Sequence, residues 1–284
     1  MEKIKTKVLV LGSSGMLGHV LTTTLKQDNL YKVFNISRNK KIDNKTIFCD
    51  VLDLEKLKKI IIELKPDFIV NCIGILIEDS KNNPDLADTI NNKFPHSLKR
   101  IADELKFTLI HMSTDCVFDG SIGNYNEDSK KTPVDTYGRT KDSGEIFHKD
   151  HLTIRTSIIG PELKEQTTGL FCWVLSNKSK IIEGYVKSVW SGLTTLELSK
   201  AISYCIKNNL KGILHIYSDP ITKYNLIELI NHEFNLNIKV KKVNGKYSNK
   251  SLSSNREDFK FEIKSHKEML VDLKKFIETE KFKY

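Results

Sequence analysis

The chain has 284 residues, 39% of them hydrophobic, which is enough for one sizeable domain or for a larger and a smaller one. Its net charge is +9, but the excess is lysine interleaved with acids. Only five arginines occur, the side chain that pairs best with phosphates and bases, so nucleic acid is not the expected partner. No apolar run reaches the roughly 18 residues of a membrane helix, no Cys-x-x-Cys or His-Glu-x-x-His offers a metal site, and the odd count of cysteines, five, points to free thiols in a reducing, cytoplasmic setting.

In chain order, "TKVLVL" (residues 6–11) predicts a buried strand and Met16–Lys26 a helix. "YKVFNIS" and "TIFCDV" predict two more strands, "DLEKLKKIIIELK" a helix starting at an acidic cap, and "PDFIVNCIG" a strand after a proline turn. Helix is expected from Pro84 to Leu105, strand in "FTLIHMST", helix from Tyr137 to His148 and strand in "HLTIRTS". The strands are continuous apolar runs and alternate with helices. That pattern is α/β, a Rossmann-type doubly wound parallel sheet covered on both faces.

After Gly160-Pro161 the rhythm changes. Helices are expected in "TTLELSKAISYCIKNN", "TKYNLIELINHEF" and "SHKEMLVDLKKFIETE", a strand in "GILHIYS", and a polar loop in "VNGKYSNKSLSSNRED". The expected division is a dinucleotide-binding domain over residues 1–160 and a smaller α/β substrate lobe over 161–284. The boundary is soft, since chain can cross between the lobes. The N-terminus runs straight into a glycine loop rather than a small-residue cleavage site, which argues against a signal peptide.

That loop, "GSSGMLG", puts Gly12, Gly15 and Gly18 between strand and helix. Gly12 suits a tight turn, Gly15 a close approach of backbone to pyrophosphate, and Gly18 close helix–strand packing. The amides at Ser14, Met16 and Leu17 would meet the phosphates at the helix N-terminus. Where NAD sites place an acid after the second strand, this chain has Ser37 and Arg38, which favours NADPH, with NADH as the lesser alternative. Asp50 and Val51 are placed to flank adenine. Asn71, Cys72, Ile73 and Gly74 end the next strand near the cofactor.

"FTLIHMST" ends at Ser113-Thr114-Asp115, and "TYGRTK" puts Tyr137 and Lys141 one helical turn apart. With 9 tyrosines and 40 lysines (45 Lys+Arg less 5 Arg), roughly one Tyr-x-x-x-Lys pair is expected by chance, so its weight comes from position. It follows the correct strand end in a chain that opens with a matching glycine loop. A phenol beside an ammonium has a lowered pKa and can protonate a carbonyl oxygen as hydride arrives. The Thr114 hydroxyl can hold the same oxygen, and Lys141 can also bind ribose.

The motifs "GSSGMLG", "STDCVFDG", "PVDTYGRTKDSGE" and "IRTSIIGPE" resemble those of the extended short-chain dehydrogenases/reductases, and most of all the dTDP-4-dehydrorhamnose reductase group. The resemblance implies Thr114, Tyr137 and Lys141 as the catalytic triad, NADPH as reductant and a nucleotide-activated 4-keto-6-deoxy sugar as substrate, within surface polysaccharide synthesis. Asn91 stands where the family carries a helix asparagine, with Asn92 adjacent. Cys116 replaces the family's aromatic after Ser-Thr-Asp and, with Val117, Phe118 and Trp190, is an expected substrate contact. Related dehydratases carry Thr-Asp-Glu where this chain has Thr114-Asp115-Cys116, which disfavours water elimination. An NAD-retaining epimerase and a non-catalytic regulatory subunit stay open, and so does a homodimer.

Overall fold

The computed structural model describes residues 5–164 and 166–280. β1 (Thr6–Leu11), α1 (Met16–Gln27), β2 (Tyr31–Ser37), β3 (Thr46–Phe48), α2 (Leu54–Leu64) and β4 (Phe68–Asn71) follow in the predicted order. β3 is shorter than "TIFCDV", because Asp50 folds its carboxylate back onto the Leu52 amide at 3.0 Å. The long helix expected over 84–105 is broken into α4 (Pro84–Asp88), a π-helical turn (Thr89–Lys93) and α5 (Phe94–Leu105), with α3 (Ile77–Asn82) added before it. β5 (Thr108–Met112), α6 (Thr136–Ser143) and β6 (Leu152–Arg155) complete the first run.

α6 stops well short of His148. A Cβ on its C-cap, Gly144, would lie 1.8 Å from the Asn91 carbonyl oxygen, so the chain presses backbone to backbone there and turns away.

Beyond residue 157 come β7 (Ile158–Ile159), α7 (Leu170–Ser176), β8 (Ile181–Tyr185), β9 (Ser188–Trp190) and β10 (Leu193–Thr194). Then follow α8 (Thr195–Lys207), β11 (Gly212–His215), β12 (Ile221–Thr222), α9 (Lys223–Glu233), β13 (Lys239–Val243), β14 (Ser248–Asn249) and α10 (His266–Thr279). Thr194, Thr222 and Ser265 cap α8, α9 and α10 with their side-chain oxygens.

Seven strands form one parallel sheet in the order β11-β6-β5-β4-β1-β2-β3. The first six of these strands in the chain, β1 to β6, come from the first 155 residues, but β11 joins the sheet beside β6. Residues 160 and 161 therefore do not divide two closed units. The open edge of β6 needs a ladder partner, and α8 packs its buried Ala201, Ile202 and Cys205 with Leu21 and Leu25 of α1 over one sheet face. α2 and α5 cover the other face through Leu57, Ile61, Leu98 and Ala102. Each fully buried aliphatic side chain contributes about 1.5–3 kcal/mol to this packing. α7, α9 and α10 build a third cluster with Trp190, Leu226 and Leu273.

Chain order reverses between β1 and β4, which is the switch point where open α/β sheets leave a crevice at their carboxyl ends. There the Cys72 amide donates to the Leu11 carbonyl at 3.1 Å, bringing the turn after β1 against the loop after β4.

Candidate active site

A cavity of about 500 Å³ opens at that crevice. One wall is Ser14–Leu17 with Cys72–Gly74; the facing wall is Met112–Cys116 with Tyr137 and Lys141.

The three loop glycines differ in what they do. Gly12 has φ +76° and a Cβ there would meet the Ile73 side chain at 2.7 Å, so a left-handed conformation and a close neighbour both require it. A Cβ on Gly18 would lie 2.1 Å from the Gly12 carbonyl oxygen; α1 sits directly on the turn. Gly15 is the N-cap of α1 and meets only that same oxygen, at 3.2 Å. No side chain caps the helix and its first turn carries no acid. The chain's own packing thus uses two glycines, and the third leaves room beside uncapped amides. That arrangement fits a dinucleotide's phosphates.

The facing wall is built by short polar contacts. Asp135 caps α6, accepting from the Gly138 amide at 2.7 Å, and a Cβ on Gly138 would be 2.3 Å from the Cys116 carbonyl oxygen. The start of α6 is therefore pressed on the loop after β5, which brings Tyr137 to Thr114. The Thr114 hydroxyl accepts from the Cys116 amide and donates to Asp115 Oδ1, each at 3.1 Å. Lys141 Nζ donates to the Met112 carbonyl at 2.6 Å.

Burial pushes the Tyr137 phenol above its ordinary range, the Cys116 thiol adds to this, and the hydrogen bond with Thr114 opposes it. The lowering expected from Lys141 is therefore corrected: desolvation outweighs any pull from the ammonium, and the phenol holds its proton. Burial lowers Lys141 to about 8, with the Glu145 carboxylate pulling the other way. Cys116 and Cys72 are pushed up to about 12, chiefly by burial. Neither is an activated thiol.

Asn91 reaches inward from the π-helical turn. It accepts from the Ile75 amide at 2.8 Å and donates to the Ile75 carbonyl at 3.0 Å and to Thr140 Oγ1 at 3.1 Å. It ties the β4 loop to α6, whereas Asn92 pairs with Asp88 near the surface.

Several expected contacts lie elsewhere. Val117 and Phe118 are fully buried, and Phe118 stacks on Tyr125 with centroids 4.3 Å apart; they are core, because the 3-10 turn Asp115–Val117 points them under the loop. Trp190 is core as well, its indole donating to Ser157 Oγ at 2.8 Å. Asn71 braces the sheet, donating to His111 Nδ1 at 3.2 Å and accepting from the Ile73 amide. Val51 packs in the α2–α5 core and Asp50 is exposed, both outside the cavity walls. Ser37 donates to Ser14 Oγ at 3.0 Å, behind the glycine turn, and Arg38 is exposed beside it.

Sequence reading missed Thr156–Ile158 and the residues Glu162, Leu163, Lys164, Thr168 and Gly169, which form a further wall. Thr156 and Ser157 follow β6 as Ser113 and Thr114 follow β5, so the strand-end rule alone pointed to them. Glu162 is buried and accepts from the Gly169 amide at 2.6 Å. Nothing local in the sequence marks that contact. Away from the cavity, Asp103, His148 and His151 lie close together. His151 Nδ1 accepts from the Leu109 amide, so its Nε2 carries the proton shared with Asp103 and is not a free metal ligand.

With this geometry established, comparison with known proteins gives a consistent result. Residues 6–252 match the family model described as the RmlD substrate binding domain. The chain belongs to this family. It is 31% identical over 157 residues to a probable low-salt glycan biosynthesis reductase of Haloferax volcanii, covering 53% of this chain and 52% of that protein. The chain thus spans about half the length of that relative. It is also 31% identical over 248 residues to methionine adenosyltransferase 2 subunit beta of Pongo abelii, covering 81% of this chain and 72% of that one. A dTDP-4-dehydrorhamnose reductase of Bacillus anthracis, solved in complex with NADP, superposes with a TM-score of 0.83 at 21% identity over 97% of this chain and all of that one. That last likeness is one of fold.

Proposed function

We propose that the chain is an NADPH-dependent reductase of a nucleotide-activated 4-keto-6-deoxy sugar, acting in the cytoplasm on a precursor of surface polysaccharide. The observation that carries the reading is that Thr114, Tyr137 and Lys141 line one cavity with the uncapped N-terminus of α1. Ser14–Leu17 and Cys72–Gly74 hold the dinucleotide, and the exposed Arg38 guanidinium pairs with its 2′-phosphate. The reduced nicotinamide, when bound, supplies the hydride. Thr114 holds the substrate carbonyl through its hydroxyl, and Cys116 borders the sugar. Tyr137, kept protonated by burial, gives its proton to the oxygen as that oxygen becomes an alkoxide, a stronger base than a phenolate. Lys141 holds ribose and anchors α6 to β5. The dinucleotide-binding part is residues 1–160 and the substrate lobe 161–284, with α8 and β11 crossing back.

The test is to supply 4-keto sugar nucleotides with NADPH and measure product beside NADPH. A second reading draws on the 31% identity to a methionine adenosyltransferase subunit over 81% of this chain: a nucleotide-binding regulatory subunit. It predicts NADPH binding without turnover of any keto sugar. Thr114, Tyr137 and Lys141 standing together favours the enzyme, since binding alone does not call for a proton donor.

A further inference from the structure

Just behind the cavity wall lies a group of charges that the proposed chemistry does not use. Glu145 follows the end of α6 and its side chain is fully buried. Its Oε1 accepts from Arg155 Nε at 2.7 Å and from Ser113 Oγ at 2.7 Å; its Oε2 accepts from Arg155 Nη2 at 2.8 Å and Lys131 Nζ at 3.1 Å. Arg155 is equally buried, on β6. Such a pair is expensive to desolvate, and apolar side chains of similar volume often give equal or greater stability. A role beyond stability is therefore worth seeking.

The geometry supplies one. Lys141, in the last turn of α6, and Glu145, just past its end, both grip the same stretch of β5's end. Lys141 takes the Met112 carbonyl at 2.6 Å and Glu145 takes the Ser113 hydroxyl at 2.7 Å, while the Ser113 amide donates to the Ile154 carbonyl at 2.6 Å. Thr114 is the next residue. We propose that Glu145 is a positioning residue: it fixes the strand end that presents Thr114 and supplies the buried negative charge that Lys141 faces. The role rests on the reading of Thr114, Tyr137 and Lys141 given above.

Among the described residues, Glu145 is the one carboxylate pulling the titration of Lys141 upward. His111 on β5 is held well below its usual range by burial, with Lys141 adding to the shift, and so is neutral. Tyr137 and the cavity thiols Cys72 and Cys116 are pushed up and are neutral too. Asp115 is pushed up by burial. Burial alone would raise Glu145 as well, but Arg155 and Lys131 outweigh it and keep it ionised. Lys131 is shared with Asp142. Removing the Glu145 charge leaves burial to act alone on Lys141, so the ammonium is lost at lower pH.

The test reads Lys141 directly, without turnover. In protein labelled at lysine Cε, the resonance titrating near pH 8, identified by its loss in Lys141→Met, should move down by about one pH unit in Glu145→Gln. It should stay near its wild-type position in Glu145→Asp, which keeps the charge. The alkaline limb of kcat should follow, with KM for the sugar nucleotide little changed. If Glu145→Gln fails to fold, Lys131→Met tests the same charge with opposite sign, since Glu145 is then less screened and the resonance should move up. A purely structural Glu145 would leave the resonance unmoved in every folded variant, and that result overturns the proposal. A moved resonance in a protein that reduces no keto sugar would leave the coupling of Glu145 to Lys141 standing but sink the enzymatic reading, and the positioning role with it.

Discussion

The two facing walls of the cavity are made of different material. The wall at Gly12–Leu17 is backbone: a left-handed turn, a helix laid directly on it and amides left without side-chain caps. The wall at β5 and α6 is side chain: a threonine hydroxyl, a half-buried phenol and a buried ammonium, held by Asp135, Asn91 and Glu145. The first kind of wall is sensitive to volume and indifferent to functional groups. The second tolerates small changes of volume and depends on single atoms. Binding and chemistry should therefore separate under mutation according to which wall is touched.

The largest separation is expected at Tyr137. Removing one oxygen in Tyr137→Phe should lower kcat by about 10²–10⁴-fold, while the melting temperature and the NADPH dissociation constant stay close to wild type. Comparable loss of NADPH binding would show that the two walls are not independent. On the backbone wall, Gly18→Val should destabilise the fold by about 3 kcal/mol, the upper end for overpacking, because its Cβ would stand 2.1 Å from a carbonyl oxygen. Denaturant unfolding measures it, and a neutral result would contradict the packing described here.

A smaller effect is expected at Arg38. Arg38→Ala should weaken NADPH by about tenfold, or 1.4 kcal/mol, and leave NADH almost unaffected. Equal loss for both would remove Arg38 as the selector. The smallest belongs to Trp190→Phe, which should cost about 1 kcal/mol through the lost hydrogen bond to Ser157 and leave KM for the sugar nucleotide within about twofold, or 0.4 kcal/mol. A large rise in KM would restore Trp190 as a substrate platform.

The same division explains what the sequence disclosed. The glycine turn was legible because its requirements are local: a positive φ at Gly12 and a helix start four residues on. That Thr114, Tyr137 and Lys141 would meet at one cavity was legible because strand ends and helical spacing bring them there without knowledge of distant contacts. The α6 boundary was not, since Gly144 ends that helix by packing on Asn91, 53 residues earlier in the chain. Val117, Phe118 and Trp190 were misplaced for a related reason: an apolar residue beside a site motif looks the same whether it faces the cavity or the core. The small strands β8, β9, β12, β13 and β14 went unread because pairs and triplets of two to five residues carry too little periodicity. Even the direction of the Tyr137 shift depended on burial, which spacing does not report.

The central claim is that the side-chain wall performs a reduction on what the backbone wall binds. Its most direct test mixes purified protein with NADPH and a nucleotide-activated 4-keto-6-deoxy sugar, and follows NADPH absorbance beside product formation, with Tyr137→Phe in parallel. The account predicts one NADPH consumed per product in the wild type and almost none in the variant. Product formed without net loss of NADPH, or NAD retained by the purified protein, would contradict it in favour of an epimerase. NADPH bound with no product from any keto sugar would contradict it in favour of a regulatory subunit.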